Sequence, residues 1–242
     1  MTEALEPYAT KSDFAYRTLR EKILSGELEP GVVFNQATFA RTIGISTTPL
    51  REALRRLKSE GLIELGAHRD AKIAEISAEE ARDLYELRRS LDPMAVALAA
   101  ERRTRADIDD IREALRGVEP LQADAGYVDL IAHRRFHVAL YSASHNDLLI
   151  RTLDGLWDKA DRYRRVGLQV ERSQAERDQK NAEHRGLVEA VVAGDAATAS
   201  SIMLQHIDTS LGAKAAHRLG VAPGPPCPPP EPSASIPSAH TC

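Results

Sequence analysis

Cysteine and long apolar segments are both scarce in this chain of 242 residues. The two cysteines, Cys227 and Cys242, lie near its end, which argues against a disulfide framework and against a thiolate metal site. The longest apolar run is about that of MAVALAA at 94–100, whereas a membrane-spanning helix needs roughly 20 such residues. The first residues are acidic and polar, so no signal peptide is predicted. We therefore expect a cytoplasmic protein without a membrane partner.

An excess of charge of one sign is also lacking. The formal net charge is −4, in a chain that is 43% hydrophobic and 28% charged, as is typical of soluble globular proteins. Residues 11–76 carry eleven Lys and Arg against nine Asp and Glu, a net charge of +2, so the remainder nets −6. This difference is too small to indicate a nucleic-acid partner by itself. A DNA-binding function must be argued from where the basic residues lie.

Residues 11–76 have the pattern of three short helices followed by a hairpin. The helices are predicted at 12–25, 36–44 and about 47–60, and the strands are LIEL and AKIAEI, on either side of the turn GAHRD. Ser12 or Asp13 is expected to cap the first helix and Ser46 the third. This order of elements predicts a winged helix-turn-helix domain.

From Ser77 onward the periodicity is helical and no strand pattern appears. Ser77 and Glu80 have the spacing of a capping box. Six helices are predicted, beginning near residues 77, 104, 124, 146, 173 and 195, with the last running from 195 to 217. The predicted fold class is therefore mainly α, with an N-terminal winged helix-turn-helix (11–76) and a C-terminal all-α helical bundle (77–217). Residues 218–242 are rich in Pro, Ser, Ala and Gly and are expected to be a disordered tail.

The third helix has the composition of a helix that enters the DNA major groove. Its start carries the small hydroxyl residues Ser46, Thr47 and Thr48, which would let the helix approach base edges, and Arg51 follows on the polar side. Backbone N–H groups and basic side chains there could hold phosphates. A capped, arginine-rich surface helix without a DNA partner has the same pattern, so the composition leaves both interpretations open.

The segments TLREKILSGELEPG and ATFARTIGISTTPLREALRRLKSEGLIE closely resemble the N-terminal domain of GntR-type bacterial transcription regulators, over about residues 15–76. The resemblance implies that Arg51 contacts DNA, that Ser46, Thr47 and Thr48 lie near bases or phosphates, and that Arg69 lies in the wing. It therefore implies double-stranded operator DNA as a partner.

Three positions depart from the family pattern. Many members have Arg where this chain has Thr47, a basic residue near Ala37, and Gly in the wing where Asp70 stands. Each missing arginine contact removes about 1–3 kcal/mol of base discrimination, and an acidic wing residue repels phosphate. These departures imply a changed operator or weaker binding.

Four of the eight histidines are candidates for one metal site. His133 and His137, four residues apart in HRRFH, lie on one face of a helix and could bind the same ion. His184 and His206 lie on the inward stripes of two later helices. Ordinary core or surface histidines would give the same pattern, so the spacing leaves both open. The other four, expected to be non-ligands, are His68, His145, His217 and His240.

The helical half resembles the FCD domain, the all-helical effector domain of the FadR branch of GntR regulators, over residues 79–215. The resemblance rests on LYELRRSLDPMAVALAA, FHVALYSASHNDLL and EHRGLVEAVVAGDAATASSIMLQH. In that family an Asp and three His bind a divalent transition metal, commonly zinc or nickel, at the base of a ligand cavity. The matching residues here are His133, in place of the Asp, with His137, His184 and His206.

Two further positions have alternative interpretations. Arg88 precedes Asp92 by four residues, so it forms an intrahelical ion pair or, by the resemblance, pairs with an effector carboxylate. Asn146 is a helix cap or a cavity residue.

The sequence therefore predicts a homodimeric, metabolite-responsive DNA-binding regulator, a repressor that a small carboxylate effector at the metal site releases from its operator. The alternative is a metal-dependent hydrolase built on the helical bundle, since a histidine site with an open position can activate water. No nucleophile motif is visible, and no carboxylate accompanies the histidines in the way that HExxH supplies one. We expect no enzyme.

Overall fold

The N-terminal part of the chain is a helical unit closed by a small sheet. The computed structural model describes residues 10–66, 70–118 and 127–220. The N-terminal elements are α1 (Lys11–Ser25), β1 (Val33–Asn35), α2 (Gln36–Thr42), α3 (Thr47–Ser59), β2 (Ile63–Leu65) and β3 (Asp70–Ile73). Helices α2 and α3, followed by β2 and β3, form the predicted winged helix-turn-helix.

The sheet has three strands, whereas the sequence predicted two. All pairings are antiparallel in the order β1-β3-β2, with Ile63 opposite Ile73 and Val33 opposite Lys72. Strand β1 is only three residues long, and Val33 is exposed. It therefore lacks the apolar alternation that marks a strand in sequence, and its pairing with β3 is a tertiary effect.

A single glycine makes the turn between α2 and α3. Gly44 has a φ of 73°, in the left-handed region that residues with a Cβ adopt only with strain. After this turn, α3 packs its apolar stripe into a core shared with α1 and the sheet; the buried residues of α3 are Leu50, Ala53, Leu54 and Leu57. The predicted division of α3 into an apolar stripe and a basic face is confirmed.

Two of the predicted caps are different in the structure. Thr10 caps α1 instead of Ser12 or Asp13, and it forms a capping box with Asp13 in which each side chain accepts a backbone N–H of the other at 3.1 Å. Ser77 does accept from the Glu80 amide at 3.0 Å. The Glu80 carboxylate, however, turns to Lys159 and Tyr163 on a later helix, so the box expected there is only half formed.

The C-terminal part contains seven helices among the described residues, one more than predicted. They are α4 (Ala78–Arg102), α5 (Arg105–Arg116), α6 (Tyr127–Ser142), α7 (Asp147–Leu168), α8 (Gln174–Ala193), α9 (Ala196–Asp208) and α10 (Leu211–Arg218). The predicted helix at 195–217 is broken because Ser210 caps a new helix, accepting from the Ala213 amide at 3.2 Å. Gly167 lets α10 approach α7, since a Cβ there would collide with the backbone of Leu211.

Helix α7 contacts both parts of the chain. Arg165 donates to the carbonyl of Leu24 at the end of α1 at 3.3 Å, and Arg162 donates to the carbonyl of Glu75 at 3.0 Å. The Tyr163 hydroxyl accepts from the Ser77 amide at 3.1 Å. One face of α7 is thus attached to the winged helix-turn-helix and the segment after it.

One hydrophobic core of the helical half lies between α4, α5, α6, α8 and α9; its buried residues include Phe136, Leu140, Leu187, Val191 and Met203. No described helix is long and apolar enough to cross a membrane. The tail was predicted at 218–242, but Arg218 still belongs to α10. Residues from 221 onward lie outside the described part of the chain, so their disorder, like the domain boundaries at 76 and 217, stays a prediction.

Candidate metal centre and nucleic-acid interface

The N-terminal end of α3 is open to solvent, as a DNA-reading helix requires. Ser46 and Thr48 are exposed and Thr47 is partly exposed. Ser46 occupies the N-cap position, but its side chain makes no cap hydrogen bond. Its hydroxyl therefore remains available to an external partner. Arg51, one turn further on, is also exposed.

The arginines of α3 differ in their contacts. Arg56 stacks on Tyr16, with its guanidinium carbon 3.5 Å from the ring centroid, and pairs with Glu60 at 3.4 Å. Arg51 and Arg55 make no hydrogen bond or ion pair with any residue that the structure describes. Their guanidinium groups are therefore the ones on α3 that can contact DNA without first breaking an internal interaction.

The wing is described only in part. Arg69 and His68 lie outside the described residues, so the expected wing contact of Arg69 stays a prediction. Asp70 begins β3, and its carboxylate accepts from the side-chain amide of Asn35 at 3.1 Å. This hydrogen bond ties the carboxylate to the neighbouring strand β1.

The four candidate histidines converge, although they come from three helices. His133 and His137 lie on α6, His184 on α8 and His206 on α9. One ring nitrogen of each lies within 4.8 Å of the others. Four nitrogens on one zinc ion, each with a bond of about 2.0–2.1 Å, would lie roughly 3.4 Å apart, so side-chain movements of about an ångström would allow all four to hold one ion.

The histidine nitrogens have the hydrogen-bonding pattern of a ligand set. Nδ1 of His133, Nε2 of His137 and both ring nitrogens of His184 are buried, with no partner among the described residues. Buried polar atoms are normally satisfied, so a cluster of unsatisfied nitrogens indicates that something binds there. An ordinary packed histidine core would pair these atoms. The residues present therefore fit a divalent transition metal.

Glu183 orients the fourth histidine. Its Oε2 lies 2.8 Å from Nδ1 of His206 and accepts from Lys180 at 2.7 Å, while its Oε1 accepts from Gln179 at 3.2 Å. A carboxylate on one ring nitrogen directs the other toward a metal. No carboxylate is placed as in HExxH, but Glu183 reaches His206 on α9 across the bundle, a contact that was not predicted from the sequence. Glu183 precedes His184 in the sequence, but that position does not predict a contact with His206 on another helix.

The electrostatics of the cluster favour neutral imidazoles. Burial lowers the pKa of His133, His137 and His184 well below the ordinary histidine value. Burial also lowers the pKa of His206 to about 4, although Glu183 opposes this shift. Burial would raise the pKa of Glu183, but hydrogen bonds from His206 and Lys180 outweigh it and lower that pKa to about 2. At neutral pH the rings are therefore unprotonated, the form that binds metals.

A cavity of about 370 Å³ opens onto three of these residues, His133, His137 and His184. Arg88, Trp157 and Arg164 form part of its wall. Trp157 is the single tryptophan of the chain, and its ring centroid is 5.0 Å from that of His137. The volume is within the range of small-molecule sites.

Arg88 is in the cavity wall as expected, but it is already paired. Its Nε and Nη2 lie 3.0 and 2.9 Å from Oδ2 of Asp92, in an ion pair within α4. Its guanidinium carbon is 4.1 Å from the centroid of the Trp157 ring system. Burial raises the pKa of Asp92, although Arg88 opposes the shift. Both interpretations made from the sequence therefore remain compatible with its position.

Asn146 is the N-cap of α7, and its side chain accepts from the Leu149 amide at 3.2 Å. It is not among the residues that line the cavity described above, so the capping explanation accounts for it. Two of the histidines expected to be non-ligands are described, and neither belongs to the cluster: His145 lies 2.8 Å from Asp107, and His217 is on α10.

Four residues of the site were not predicted from the sequence: Trp157, Arg164, Lys180 and Glu183. Helical spacing places Trp157, Asp161 and Arg164 on one face of α7. This spacing is the signal that could have identified Trp157 and Arg164 as residues of the site. Arginine within a helix ordinarily indicates a solvated surface, so this signal is weak.

A winged helix-turn-helix joined to a helical domain with a cavity over a cluster of histidines defines a class, the ligand-responsive transcription regulators. Comparison with known families agrees. Residues 11–69 match the bacterial regulatory proteins of the gntR family, and residues 83–209 match the FCD domain. The chain belongs to the GntR family of transcription regulators and carries an FCD domain, a metabolite-binding domain.

Similar curated proteins are named as transcription regulators. The chain is 30% identical over 206 residues to the HTH-type transcriptional repressor GlaR of Escherichia coli, covering 81% of this chain and 92% of GlaR. It is 31% identical over 205 residues to the HTH-type transcriptional regulator LutR of Bacillus subtilis, covering 76% of this chain and 92% of LutR. These names describe regulators and not enzymes.

Solved structures share the fold. E. coli McbR/YncC superposes with a TM-score of 0.69 at 24% identity, over 82% of this chain and 96% of the other. A GntR regulator from Rhodococcus sp. RHA1 gives a TM-score of 0.66 at 19% identity, over 89% of this chain and 100% of the other.

Proposed function

We propose that this protein is a homodimeric repressor that a small carboxylate releases from operator DNA, and that the carboxylate binds beside a metal ion held by His133, His137, His184 and His206. The convergence of four histidine nitrogens within 4.8 Å carries the proposal. The cavity over these residues supplies the place for an effector, and α3 supplies the DNA-binding surface.

The donor set decides which metal fits. Four imidazoles are softer ligands than carboxylates, so zinc or nickel is favoured over magnesium or manganese. Neutral imidazoles leave the charge of a divalent ion uncompensated, at +2. The buried arginines Arg88 and Arg164 lie in the wall of the same cavity. Positive charge from the ion and from the wall together favours an anionic effector.

The competing hydrolase has no free carboxylate base beside the histidines among the residues that the structure describes. Glu183 is the carboxylate next to the histidines, and both of its oxygens are engaged by Gln179, Lys180 and His206. A carboxylate held in this way orients a ligand histidine and is not free to take a proton from water. The attached winged helix-turn-helix has no role in such an enzyme.

Two measurements test the proposal. Elemental analysis of the purified protein is expected to find about one zinc or nickel ion per chain. Fluorescence anisotropy, on an operator selected from random DNA, is expected to show at least about a tenfold loss of affinity when a small carboxylate is added to the metal-loaded protein. A scrambled duplex of equal length is the control.

The outcomes separate the parts of the proposal. A protein that carries no metal and takes up none on titration contradicts the metal centre. A metal-loaded protein whose DNA affinity no carboxylate changes has a structural metal and an effector site elsewhere. Failure to shift any selected DNA contradicts the regulator itself.

A further inference from the structure

Two buried nitrogen donors in the cavity wall have no assigned role. They are Nε1 of Trp157 and Nη2 of Arg164, and neither has a hydrogen-bond partner within the part of the chain that the structure describes. Both residues line the cavity that opens onto the histidines. They lie together on α7, with the Arg164 guanidinium carbon 5.1 Å from the centroid of the Trp157 ring system. Unsatisfied buried donors of this kind indicate a missing acceptor.

The charge of Arg164 is also incompletely compensated. Its side chain is 3% exposed, and Nη1 donates to Asp161 at 2.7 Å. Asp161 is shared, because its other oxygen accepts from Arg134 at 3.1 Å. Arg134 in turn shares Asp158 with Arg20. This group holds three arginines and two aspartates, so it carries a net charge of +1 that an anion would offset.

Arg88 provides the contrast. It stacks on the same tryptophan, but Asp92 accepts from two of its nitrogens and neutralises it within the helix. Among the described residues, Asp92 pairs with no second arginine, whereas the carboxylate of Asp161 is shared between Arg164 and Arg134. An anion at Arg164 would therefore meet a buried nitrogen without a partner and a charge that its carboxylate compensates only in part.

We infer that Arg164 Nη2 and Trp157 Nε1 form an anion subsite separate from the histidines, and that the effector is an acid with two anionic ends, a small dicarboxylate. This inference rests on the proposed function, in which one carboxylate binds beside the metal ion. The second carboxylate accepts from Arg164 and Trp157. A monocarboxylate of the same length fills only the first position.

Isothermal titration calorimetry on the zinc-loaded full-length protein tests the subsite. The probes are the unbranched dicarboxylates from malonate to adipate, each compared with the monocarboxylate of equal carbon number. One of the dicarboxylates is expected to bind about tenfold or more tightly than its monocarboxylate partner, the gain of a charge-assisted hydrogen bond. The chain length of the dicarboxylate that binds most tightly indicates the distance between the metal-linked position and the subsite at Arg164 and Trp157.

Two variants remove the subsite in different ways. Arg164→Gln removes the charge, and Trp157→Phe keeps the aromatic packing but removes the donor. Both are expected to retain zinc. Dicarboxylate affinity should fall more than monocarboxylate affinity, so the preference for the dicarboxylate falls several-fold, to near one for Arg164→Gln. Arg151→Gln, at an exposed arginine on the same helix, is the matched control and keeps the preference. Zinc content and melting temperature show that each variant is folded.

The result also separates this inference from the proposed function. If mono- and dicarboxylates bind the zinc-loaded protein equally, the subsite is wrong and the metal-linked carboxylate site stands. A preference that survives in both Arg164→Gln and Trp157→Phe likewise overturns the subsite. If neither class of acid binds, the proposed function and the inference both fail.

Discussion

Arg20 of α1 forms an ion pair with Asp158 of α7, which joins the DNA-binding part of the chain to the helix that lines the cavity. Asp158 also accepts from Arg134 of α6 at 2.6 Å, and Arg134 reaches Asp161 at 3.1 Å. Asp161 holds Arg164 at 2.7 Å. A continuous series of alternating charges therefore runs from α1 to the cavity wall.

This series predicts a route by which the effector acts on DNA binding. Asp158→Asn is expected to leave zinc content and acid binding unchanged but to reduce the effect of the acid on operator affinity by about threefold or more, the range seen for mutations that alter coupling. Anisotropy titrations with and without acid measure the effect. Lys22→Gln, which breaks an exposed ion pair inside the DNA-binding part, is the control. If the acid changes the operator affinity of Asp158→Asn as much as that of wild type, this route is excluded.

Arg51→Ala is expected to weaken binding to the selected operator by about 1–3 kcal/mol, because one exposed arginine contact to a base is lost. The fold should be unchanged, since Arg51 is exposed and makes no hydrogen bond or ion pair with the residues that the structure describes. Circular dichroism checks the fold. Arg56→Gln should instead lower the melting temperature, because Arg56 packs on Tyr16, and should retain operator discrimination. Equal DNA affinity for Arg51→Ala and wild type would reject α3 docking through Arg51.

Glu183→Gln is expected to lower metal affinity by about 10–100-fold, since the carboxylate no longer orients the ring of His206. Titration of the metal-free protein with nickel or zinc, followed by the fluorescence of Trp157, gives the affinity. Glu189→Gln is the control on α8, where Glu189 is exposed. A Glu183→Gln protein that binds metal as tightly as wild type would show that this hydrogen bond has no supporting role.

His133→Asp is expected to keep the metal but to bind carboxylates more weakly. The substituted site has a net charge of +1 in place of +2, which reduces the attraction for an anion. Elemental analysis and calorimetry with the same acids measure the two effects. His137→Ala, in comparison, should lose metal, because a buried ligand nitrogen is removed. Stronger acid binding by His133→Asp would contradict the role assigned to the site charge.

We expect a homodimer on a pseudo-palindromic operator. A single recognition helix reads few base pairs, and a two-fold dimer reads two half-sites about one or more helical turns apart. Light scattering gives the mass in solution, and footprinting gives the protected sequence. A monomer that protects one asymmetric half-site would contradict this expectation.

The local sequence was sufficient to predict most elements of the DNA-binding part. Helix α3 was predicted because its apolar residues recur at helical spacing, and its buried stripe follows from that spacing. Strand β1 was missed because its three residues carry no pattern of their own and are held by pairing with β3. The break before α10 was also missed, because Ser210 acts as a cap only where α10 turns back onto α7.

The candidate metal residues could be identified from sequence because helical spacing places His133 and His137 on one face. His184 and His206 lie on the inward stripes of later helices, and the resemblance to FCD domains grouped all four as one ligand set. The contacts of Glu183 with His206, and of Arg164 with Trp157 and Asp161, required the tertiary structure. Helical periodicity gives the face on which a side chain lies but not the helix that packs against that face. Pairing and burial of charges between helices depend on that packing, so only the folded bundle decides that the unpaired donor of Arg164 lies in the cavity wall beside Trp157.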